Sequence, residues 1–403
     1  MKTIYIFLAA VFACTAAAAQ STDEILGRIE DNNLTLKALR QQVEAQGDAN
    51  LAESSLEGPE VEFGYLFGDD GRRRHDFGVS QSFDFGALSG ARRKLALGEN
   101  ELLALEYRAS RRDILTAARK LVCQIVYSNA LIEEYRHRVE NARTVELAYR
   151  SGYEKGEFSV IDYRKAAVSL AEVEGNLRLL EVERDGMLAE LRNLNGGEAI
   201  DISSCEQETV LLPGSFEQWL DEASEKSSAL NYVRTATDIS EQQLRLSRSE
   251  AFPSFSLGYK SEVVPGEGFR GVAVGISIPL WSAGKKISSA KKQIEAAKTA
   301  EQDALVQFRT NAENLYNKAM RLAESAAAVA VAADLESAAT SSAASGSAIA
   351  GGLDDLRKAL DSGQMSLLDY MDEIGYFYSS RELALQTRLE YMLAVADLLA
   401  LEM

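Results

Sequence analysis

Proline is rare in this sequence, with five residues among 403. A proline inside a helix costs about 3 kcal/mol, so its scarcity favours long uninterrupted helices. The prolines all lie outside the segments with helical periodicity, at Pro59, Pro213, Pro253, Pro265 and Pro279. The sequence therefore predicts a mainly α-helical chain whose helices are unusually long.

Histidine is scarcer still, and its two residues, His75 and His137, fall in different predicted elements. Two separated imidazoles cannot form a metal cluster or an obvious catalytic triad. The segment 284–286, Gly-Lys-Lys, has neither the spacing nor the hydroxyl residue of a phosphate-binding loop. We therefore expect that the protein is not an enzyme and that it has no catalytic residue, metal site or cofactor.

Basic residues are fewer than acidic residues: the chain has 43 Lys and Arg against 61 Asp and Glu, and its net charge is −18. Nucleic-acid binding needs clustered basic surface that displaces counterions, so we expect no nucleic-acid partner. After residue 20, no stretch reaches the ~18 uninterrupted apolar residues that a membrane-spanning helix requires. Any membrane role would therefore depend on strands.

The first twenty residues have the pattern of a secretory signal peptide. They begin with a basic residue, continue with a short apolar core and end in small residues, so we expect cleavage after Ala19 and exclude 1–19 from the fold. Lipidation at Cys14 is the alternative, although Phe12 stands where such sites usually carry a small or β-branched residue. Either reading predicts export of the chain.

Cysteine is too scarce for a disulfide scaffold, because only Cys123 and Cys205 remain after that cleavage. Cys123 lies in the apolar stripe Leu-Val-Cys-Gln-Ile-Val of a predicted helix. We expect it to be a packed thiol.

One octapeptide pattern occurs twice. Residues 156–163 read Gly-Glu-Phe-Ser-Val-Ile-Asp-Tyr, and residues 363–370 read Gly-Gln-Met-Ser-Leu-Leu-Asp-Tyr. Glycine followed by serine three residues later and aspartate six residues later is typical of a turn that ends one helix and caps the next. The segments 59–65 and 253–259 also match, as Pro-x-x-x-x-Gly-Tyr. The chain is thus predicted to contain two copies of one unit.

These matches predict the domain organisation. A first repeat covers 20–197, with a β-hairpin at 60–84 and a helical turn near 149–162. A connector follows at 198–214. The second repeat covers 215–403, with a β-hairpin at 252–280 and a turn near 353–369. In each repeat a first helix (22–56 and 216–249) precedes the hairpin, and two long helices flank the turn.

A long helix is predicted at about 88–148, and it carries a heptad stripe typical of a coiled coil. At 1.5 Å per residue, some 60 residues would make a rod of roughly 90 Å. The stripe consists of Ile114, Ala118, Leu121, Ile125, Ser128, Ile132, Tyr135, Val139 and Ala142.

The predicted strands of one chain are too few to form a closed membrane barrel. Each repeat supplies two alternating segments of roughly ten residues, the length of a tilted strand in an outer membrane. Four strands cannot close a membrane barrel, and an open sheet edge in lipid would leave backbone groups unpaired. Three copies would supply twelve strands. The alternative is a soluble hairpin packed on a coiled coil.

The duplicated strand–helix–turn–helix plan behind a signal peptide resembles the TolC family of outer-membrane efflux proteins. The resemblance covers essentially the whole mature chain. It depends on the turns at 153–162 and 360–369 and on the strand exit at 275–286, which reads Gly-Ile-Ser-Ile-Pro-Leu-Trp-Ser-Ala-Gly-Lys-Lys. The first repeat departs from the pattern, since Ser82 stands where proline is expected.

The resemblance implies a homotrimer in the outer membrane of a Gram-negative bacterium. Its fold would be mainly α with a small β part: a trimeric twelve-stranded β-barrel among outer-membrane lipids, continued by a periplasmic α-helical barrel of long coiled-coil hairpins. Such channels are components of tripartite efflux pumps. The implied partners are a periplasmic adaptor protein and an inner-membrane pump.

The resemblance also implies site residues. The turns expected to dock the adaptor contain Gly156, Ser159, Asp162, Gly363, Ser366 and Asp369. The acidic pair Asp369 and Asp372 corresponds by position to the constricted periplasmic entrance, where rings of carboxylates would favour cations. Simple helix capping is the alternative role of Asp162 and Asp369, and a solvated face that of Asp372.

Two further functions stay open at this point. One is the outer-membrane component of type I protein secretion, and the other is a periplasmic coiled-coil scaffold without a channel. The substrate is not indicated by any methionine or histidine cluster, and the sequence does not distinguish a proton-driven from an ATP-driven pump.

Overall fold

The computed structural model describes residues 21–68, 73–202, 212–338 and 348–403. The predicted signal peptide 1–19, with Cys14, lies outside the described residues, as does Cys205. Within the described ranges the chain is mainly helical and contains one small antiparallel sheet, as predicted. The helices are α1 Thr22–Asn32, α2 Leu34–Glu53, α3 Phe85–Leu88, α4 Ala91–Glu154, α5 Val160–Leu194, α6 Phe216–Lys226, α7 Ser228–Ser249, α8 Ala283–Ala338, α9 Ala348–Asp361 and α10 Leu367–Leu401.

The sheet contains both predicted hairpins. Its strands are β1 Glu60–Phe67, β2 Arg73–Phe83, β3 Ser254–Val264 and β4 Glu267–Ser277. They lie in the order β1-β2-β3-β4, and every neighbouring pair is antiparallel. Strands β2 and β3 come from different halves of the sequence, so the two hairpins join into one sheet.

The register gives the sheet two chemically different faces, because successive side chains of a strand point to opposite sides. One face is apolar, with rows such as Val61–Val79–Tyr259–Val272. The opposite face carries small and charged residues, with rows such as Glu60–Ser80–Gly258–Ala273. Much of the apolar face is exposed: Phe63 is 72% and Val272 is 75% exposed.

The first helix of each half is broken, which the prediction of single helices at 22–56 and 216–249 missed. Asn33, with ψ 117°, separates α1 from α2. Ser227, with ψ 116°, separates α6 from α7. Both ψ angles lie outside the helical range. The Asn33 amide donates to Leu194 O at 2.8 Å, and Ser227 Oγ accepts from Leu230 N at 3.4 Å. The Ser227 bond is local and caps α7, whereas the Asn33 bond ties the break between α1 and α2 to the end of α5.

The described chain divides into two compact units, each of which draws on both halves of the sequence. One unit comprises Met1–Asn33, Ile114–Leu212 and Lys318–Asp397, and it contains both predicted helical turns. The other comprises Leu34–Asp113, Pro213–Asn317 and Leu398–Met403, and it contains the sheet. The boundaries of the sequence repeats remain a prediction.

The predicted heptad stripe of α4 packs inward. Six of its nine members are buried, namely Ala118, Leu121, Ile125, Ser128, Ile132 and Val139. Cys123 is also buried, in agreement with a packed thiol. Burial of this stripe is the packing that stabilises a helix of this length.

Among the described helices, none combines the length and the apolar character needed to cross a membrane.

Gly196, just after α5, tests the close contact between the end of α5 and the end of α1. Its φ is +67°, and an added Cβ would lie 2.5 Å from the Asn32 carbonyl oxygen. We expect Gly196→Ala to destabilise the protein by at least about 1–2 kcal/mol, the cost of a left-handed conformation alone. The measurement is the apparent unfolding temperature of the purified protein.

Gly186→Ala is the matched control, because Gly186 lies inside α5 and an added Cβ would meet no atom within 4 Å. Alanine should stabilise the helix there by about 0.5–1 kcal/mol. An unchanged or raised unfolding temperature for Gly196→Ala would contradict the described packing.

Candidate functional site

The two predicted turns have the same backbone geometry. Gly156 ends α4 with φ +78°, and Gly363 ends α9 with φ +71°. In the first turn Glu157 N donates to Gly152 O at 2.8 Å, and in the second Gln364 N donates to Ala359 O at 2.9 Å. These bonds satisfy helix-terminal carbonyls, and the left-handed conformation is the one that favours glycine.

The helix that follows each turn begins with the same cap. Ser159 Oγ accepts from Asp162 N at 3.1 Å and donates to the Asp162 carboxylate at 2.7 Å. Ser366 Oγ makes the same bonds with Asp369, at 3.2 and 2.6 Å. The carboxylates also lie in the first turn, where the helix dipole favours negative charge. Ser159 and Ser366 therefore cap their helices, and the carboxylates of Asp162 and Asp369 hold the serine hydroxyls in place.

The first turn is covered by aromatic rings that the sequence analysis did not single out. Phe158 stacks on Tyr149 with ring centres 4.4 Å apart, and Tyr153 stacks on Tyr163 at 5.6 Å. Gly152 makes room for this arrangement, since an added Cβ would lie 2.2 Å from the Phe158 ring. Four aromatic residues between positions 149 and 163 were the signal that could have indicated the stacking.

An apolar cluster joins the helices next to the turns. It includes Val145 and Tyr149 of α4, Ala166 of α5, and three residues of α10. The α10 members are Leu367, Tyr370 and Ile374. These three buried residues define the inward face of α10.

The opposite face of α10 carries the predicted gate residues. Asp369 and Asp372 are both exposed and lie one helical turn apart. Tyr376 lies one further turn along, is 74% exposed, and was not singled out from the sequence. The structure thus places the acidic pair together on one solvated face, and its role in gating stays a prediction.

A buried charged cluster lies farther along the same helices, and sequence reasoning missed it. Arg138 and Glu134 of α4 are only 6% and 5% exposed. Arg138 Nη1 lies 3.3 Å from Glu382 Oε2, and Arg381 Nε lies 3.1 Å from Glu134 Oε2. Arg138 Nε is 3.5 Å from Glu134 Oε1, an ion pair without hydrogen-bond geometry. The two arginines and two carboxylates thus link α4 to α10 crosswise.

Aromatic rings enclose this arginine. The Arg138 guanidinium lies 4.4 Å from the ring centres of both Tyr135 and Tyr378, within the range of cation–π interactions. Its Nη2 donates to the Tyr378 backbone carbonyl at 3.0 Å. We call Glu134, Arg138, Tyr378, Arg381 and Glu382 the Arg138 clamp.

Asn141 connects the clamp to the apolar cluster. Its amide donates to the Tyr370 hydroxyl at 2.9 Å and to the Tyr378 hydroxyl at 3.2 Å, and it accepts from Tyr370 at 3.2 Å. Burial raises the pKa of Tyr378 to about 12, and the hydrogen bond from Asn141 opposes that rise. Burial raises the pKa of Tyr370 as well, so both hydroxyls stay protonated at physiological pH.

A cavity of about 50 Å³ lies between the clamp and the apolar cluster. Its wall includes Ala142 of α4, Ser169 and Val173 of α5, and Met371 and Ile374 of α10. A void of this size holds a few water molecules at most. Among the described residues, no group of three or more His, Cys, Asp or Glu side chains could hold a metal ion.

Comparison with known proteins gives a family and a fold. The family described as outer membrane efflux protein matches residues 25–197. No curated protein sequence matches the chain. The matched family is one of efflux proteins rather than enzymes.

Three solved structures illustrate the fold. A membrane protein from Pseudomonas aeruginosa is similar with TM-score 0.76 and 12% identity, over 95% of this chain and 93% of that chain. The open state of the Neisseria gonorrhoeae MtrE outer membrane channel has TM-score 0.74 and 15% identity, over 94% and 88%. The Vibrio cholerae outer membrane protein VceC has TM-score 0.73 and 13% identity, over 94% and 96%.

These matches confirm the resemblance found in the sequence. The similarity of fold extends over both halves of the chain, beyond the segment that the family matches. Residues 25–197 thus match the family described as outer membrane efflux protein, and the fold of the chain is similar to that of solved outer-membrane proteins.

Proposed function

We propose that this protein is the outer-membrane channel of a tripartite efflux pump and works as a homotrimer. Three copies form a twelve-stranded β-barrel in the outer membrane, continued by a periplasmic α-helical barrel. The turns at Gly156 and Gly363 dock onto a periplasmic adaptor that connects to an inner-membrane pump. The observation that carries this proposal is the incomplete sheet.

In one chain the sheet has two open edges and one exposed apolar face. Among the described residues, β1 and β4 each pair on one side only. The apolar face suits contact with lipid, but lipid cannot satisfy unpaired backbone groups. If β1 of one copy pairs with β4 of the next, three copies supply twelve strands and leave no edge. The small and charged face then lines the lumen.

Helix α5 supports assembly of identical copies. Exposed apolar side chains recur on it at intervals of seven or fourteen residues, at Ile161, Val168 and Val182, which are 61%, 66% and 69% exposed. Seven-residue spacing is typical of a coiled-coil seam. Because this seam lies on the surface of one chain, it is suited to pack against a second copy.

The acidic pair on α10 supports a selective entrance. Asp369 and Asp372 would form two rings of three carboxylates around the axis of a trimer. Such rings concentrate negative potential at a narrow opening and favour cations.

The gate is tested in planar bilayers with Asp369→Ala combined with Asp372→Ala. We expect a higher passive conductance of the purified trimer, because smaller side chains widen the opening, and a weaker preference for cations, because the charge is lost. Asp162→Ala is the control, since it removes the equivalent carboxylate, which accepts from the capping serine Ser159, outside the predicted gate. Conductance equal to that of the unchanged protein would argue against a gate at these residues.

The docking turns are tested with Gly156→Val and Gly363→Val. A side chain in the left-handed conformation costs about 1–2 kcal/mol and reshapes the turn, so export should fall while the trimer still assembles. Export of solutes by cells and copurification of the adaptor are the readouts. Gly175→Ala, inside α5 with no atom within 4 Å of an added Cβ, is the control.

Normal export by both turn variants would remove the docking assignment. Extraction of the protein from membranes by carbonate would instead favour the periplasmic scaffold, because a membrane barrel resists carbonate.

A further inference from the structure

We propose that the end of the sheet from which α4 and α8 continue binds the headgroups of anionic phospholipids. That the sheet lies in a bilayer rests on the proposed function, and the preference for anionic lipid goes beyond it. The surface combines aromatic rings with basic side chains, and we call it the rim surface: Phe85, Phe252, Trp281, Arg93, Lys94, Lys285 and Lys286.

The apolar face of the sheet continues past the strand ends into aromatic side chains. The last row of that face is Phe83–Phe255–Ile276. The Phe85 ring centre lies 6.4 Å from that of Phe255 and 5.5 Å from that of Phe252. Phe85, Phe252 and Phe255 are all exposed. The face suited to lipid chains therefore ends in a layer of aromatic rings, as membrane barrels do at their interfaces with water.

Trp281 extends this aromatic layer. It lies in the short link between β4 and α8 and is 87% exposed. The other tryptophan, Trp219, is buried and donates to the Glu402 carboxylate. An indole has an apolar body and one N–H group, so it suits the boundary between lipid chains and headgroups. Trp281 therefore marks the level at which headgroups would contact the protein.

Basic residues follow the aromatic layer in both halves of the chain. Arg93 and Lys94 lie in the first turn of α4, and Lys285 and Lys286 lie in the first turn of α8. Neither first turn contains an acidic residue. Positive charge is unfavourable at a helix N-terminus. These four residues therefore do not stabilise the helices that carry them, and their charge needs another explanation.

Glu250, after α7, connects the two basic groups. Its carboxylate lies 3.2 Å from Lys286 Nζ and 4.0 Å from Arg92 Nη2. Arg92 also binds Asp84 at 3.1 Å, beside Phe85. The start of α4 and the start of α8 thus form one surface next to the aromatic layer.

Most of the positive charge on this surface is not compensated. Three exposed cations have no ion pair among the described residues, namely Arg93, Lys94 and Lys285. The segments 84–95, 244–253 and 278–292 together contain nine Lys and Arg but two Asp and Glu, in a chain of net charge −18. The local charge is therefore opposite in sign to that of the chain as a whole.

This charge, placed beside an apolar and aromatic surface, fits an anionic phospholipid. Basic residues near an anionic leaflet each strengthen binding, and guanidinium groups bind phosphate through two hydrogen bonds. The long stems of Lys and Arg can lie along lipid chains while their charged ends reach the headgroups. A zwitterionic phospholipid offers the same chains without the net negative charge, so it should bind less well.

The rim surface is tested with Trp281 as a fluorescent reporter. Trp219→Phe leaves Trp281 as the one tryptophan of the chain. The purified full-length protein is reconstituted in vesicles of equal parts phosphatidylcholine and phosphatidylglycerol, with bromine on the acyl chains of one lipid or the other. Bromine quenches a nearby indole, so the two quenching efficiencies give the relative affinity of the two lipids beside Trp281.

We expect phosphatidylglycerol to bind at least about fivefold more tightly, the effect of a single cation near an anionic surface. Added salt should reduce this preference, because it screens exposed charges. The combined variant Arg93→Gln, Lys94→Gln and Lys285→Gln should abolish it, and these substitutions break no ion pair of the described residues.

The matched control is Arg28→Gln combined with Lys318→Gln and Arg321→Gln. These three cations are exposed and lie in the unit that does not contain the sheet. The control should keep the preference for phosphatidylglycerol. Equal affinity for both lipids with all cations in place, or an equal loss in both triple variants, would overturn the rim surface.

Native mass spectrometry separates this inference from the proposed function. It counts the chains in each complex, and it also counts bound phosphatidylglycerol with both tryptophans retained, which repeats the lipid test without Trp219→Phe. Three chains without a lipid preference would overturn the rim surface alone. A single chain that keeps the preference would overturn the proposed homotrimer and support the rim surface.

Discussion

The backbone N–H and C=O groups at the edges of a sheet need hydrogen-bond partners, and the proposed assembly depends on this requirement. In the described part of the chain, β1 and β4 pair on one side only, and a neighbouring face of Phe63, Val272 and similar side chains is exposed. Water could satisfy the edges but not the apolar face, while lipid could cover the face but not the edges. Pairing between copies would satisfy the edges, and lipid around the paired copies would cover the apolar face.

The duplicated sequence forms two turns that have the same backbone geometry but different surroundings. Both turns have a left-handed glycine and a Ser–Asp cap. The first turn is covered by stacked aromatic rings, whereas the second leads into α10, which carries the acidic pair and the Arg138 clamp. The two turns therefore share their backbone and caps but differ in the side chains that surround them.

The sequence was most informative where structure depends on local chemistry. Turns and hairpins follow from glycine, serine and alternation within about ten residues, and the structure has turns at Gly156 and Gly363 and hairpins β1–β2 and β3–β4. The breaks at Asn33 and Ser227 were missed, yet these residues are 194 positions apart, the same offset as Pro59 and Pro253, and both are polar residues suited to caps. The Arg138 clamp could not be predicted, because the α10 partners of Arg138 are 240 or more residues away and each charge alone resembles a solvated helix face.

Native mass spectrometry of the detergent-solubilised protein tests the central claim most directly. We expect a complex of three identical chains that persists under conditions that keep the strands paired. A stable species of one chain with its four strands intact and soluble without detergent would contradict it, because a single copy would then satisfy its own sheet.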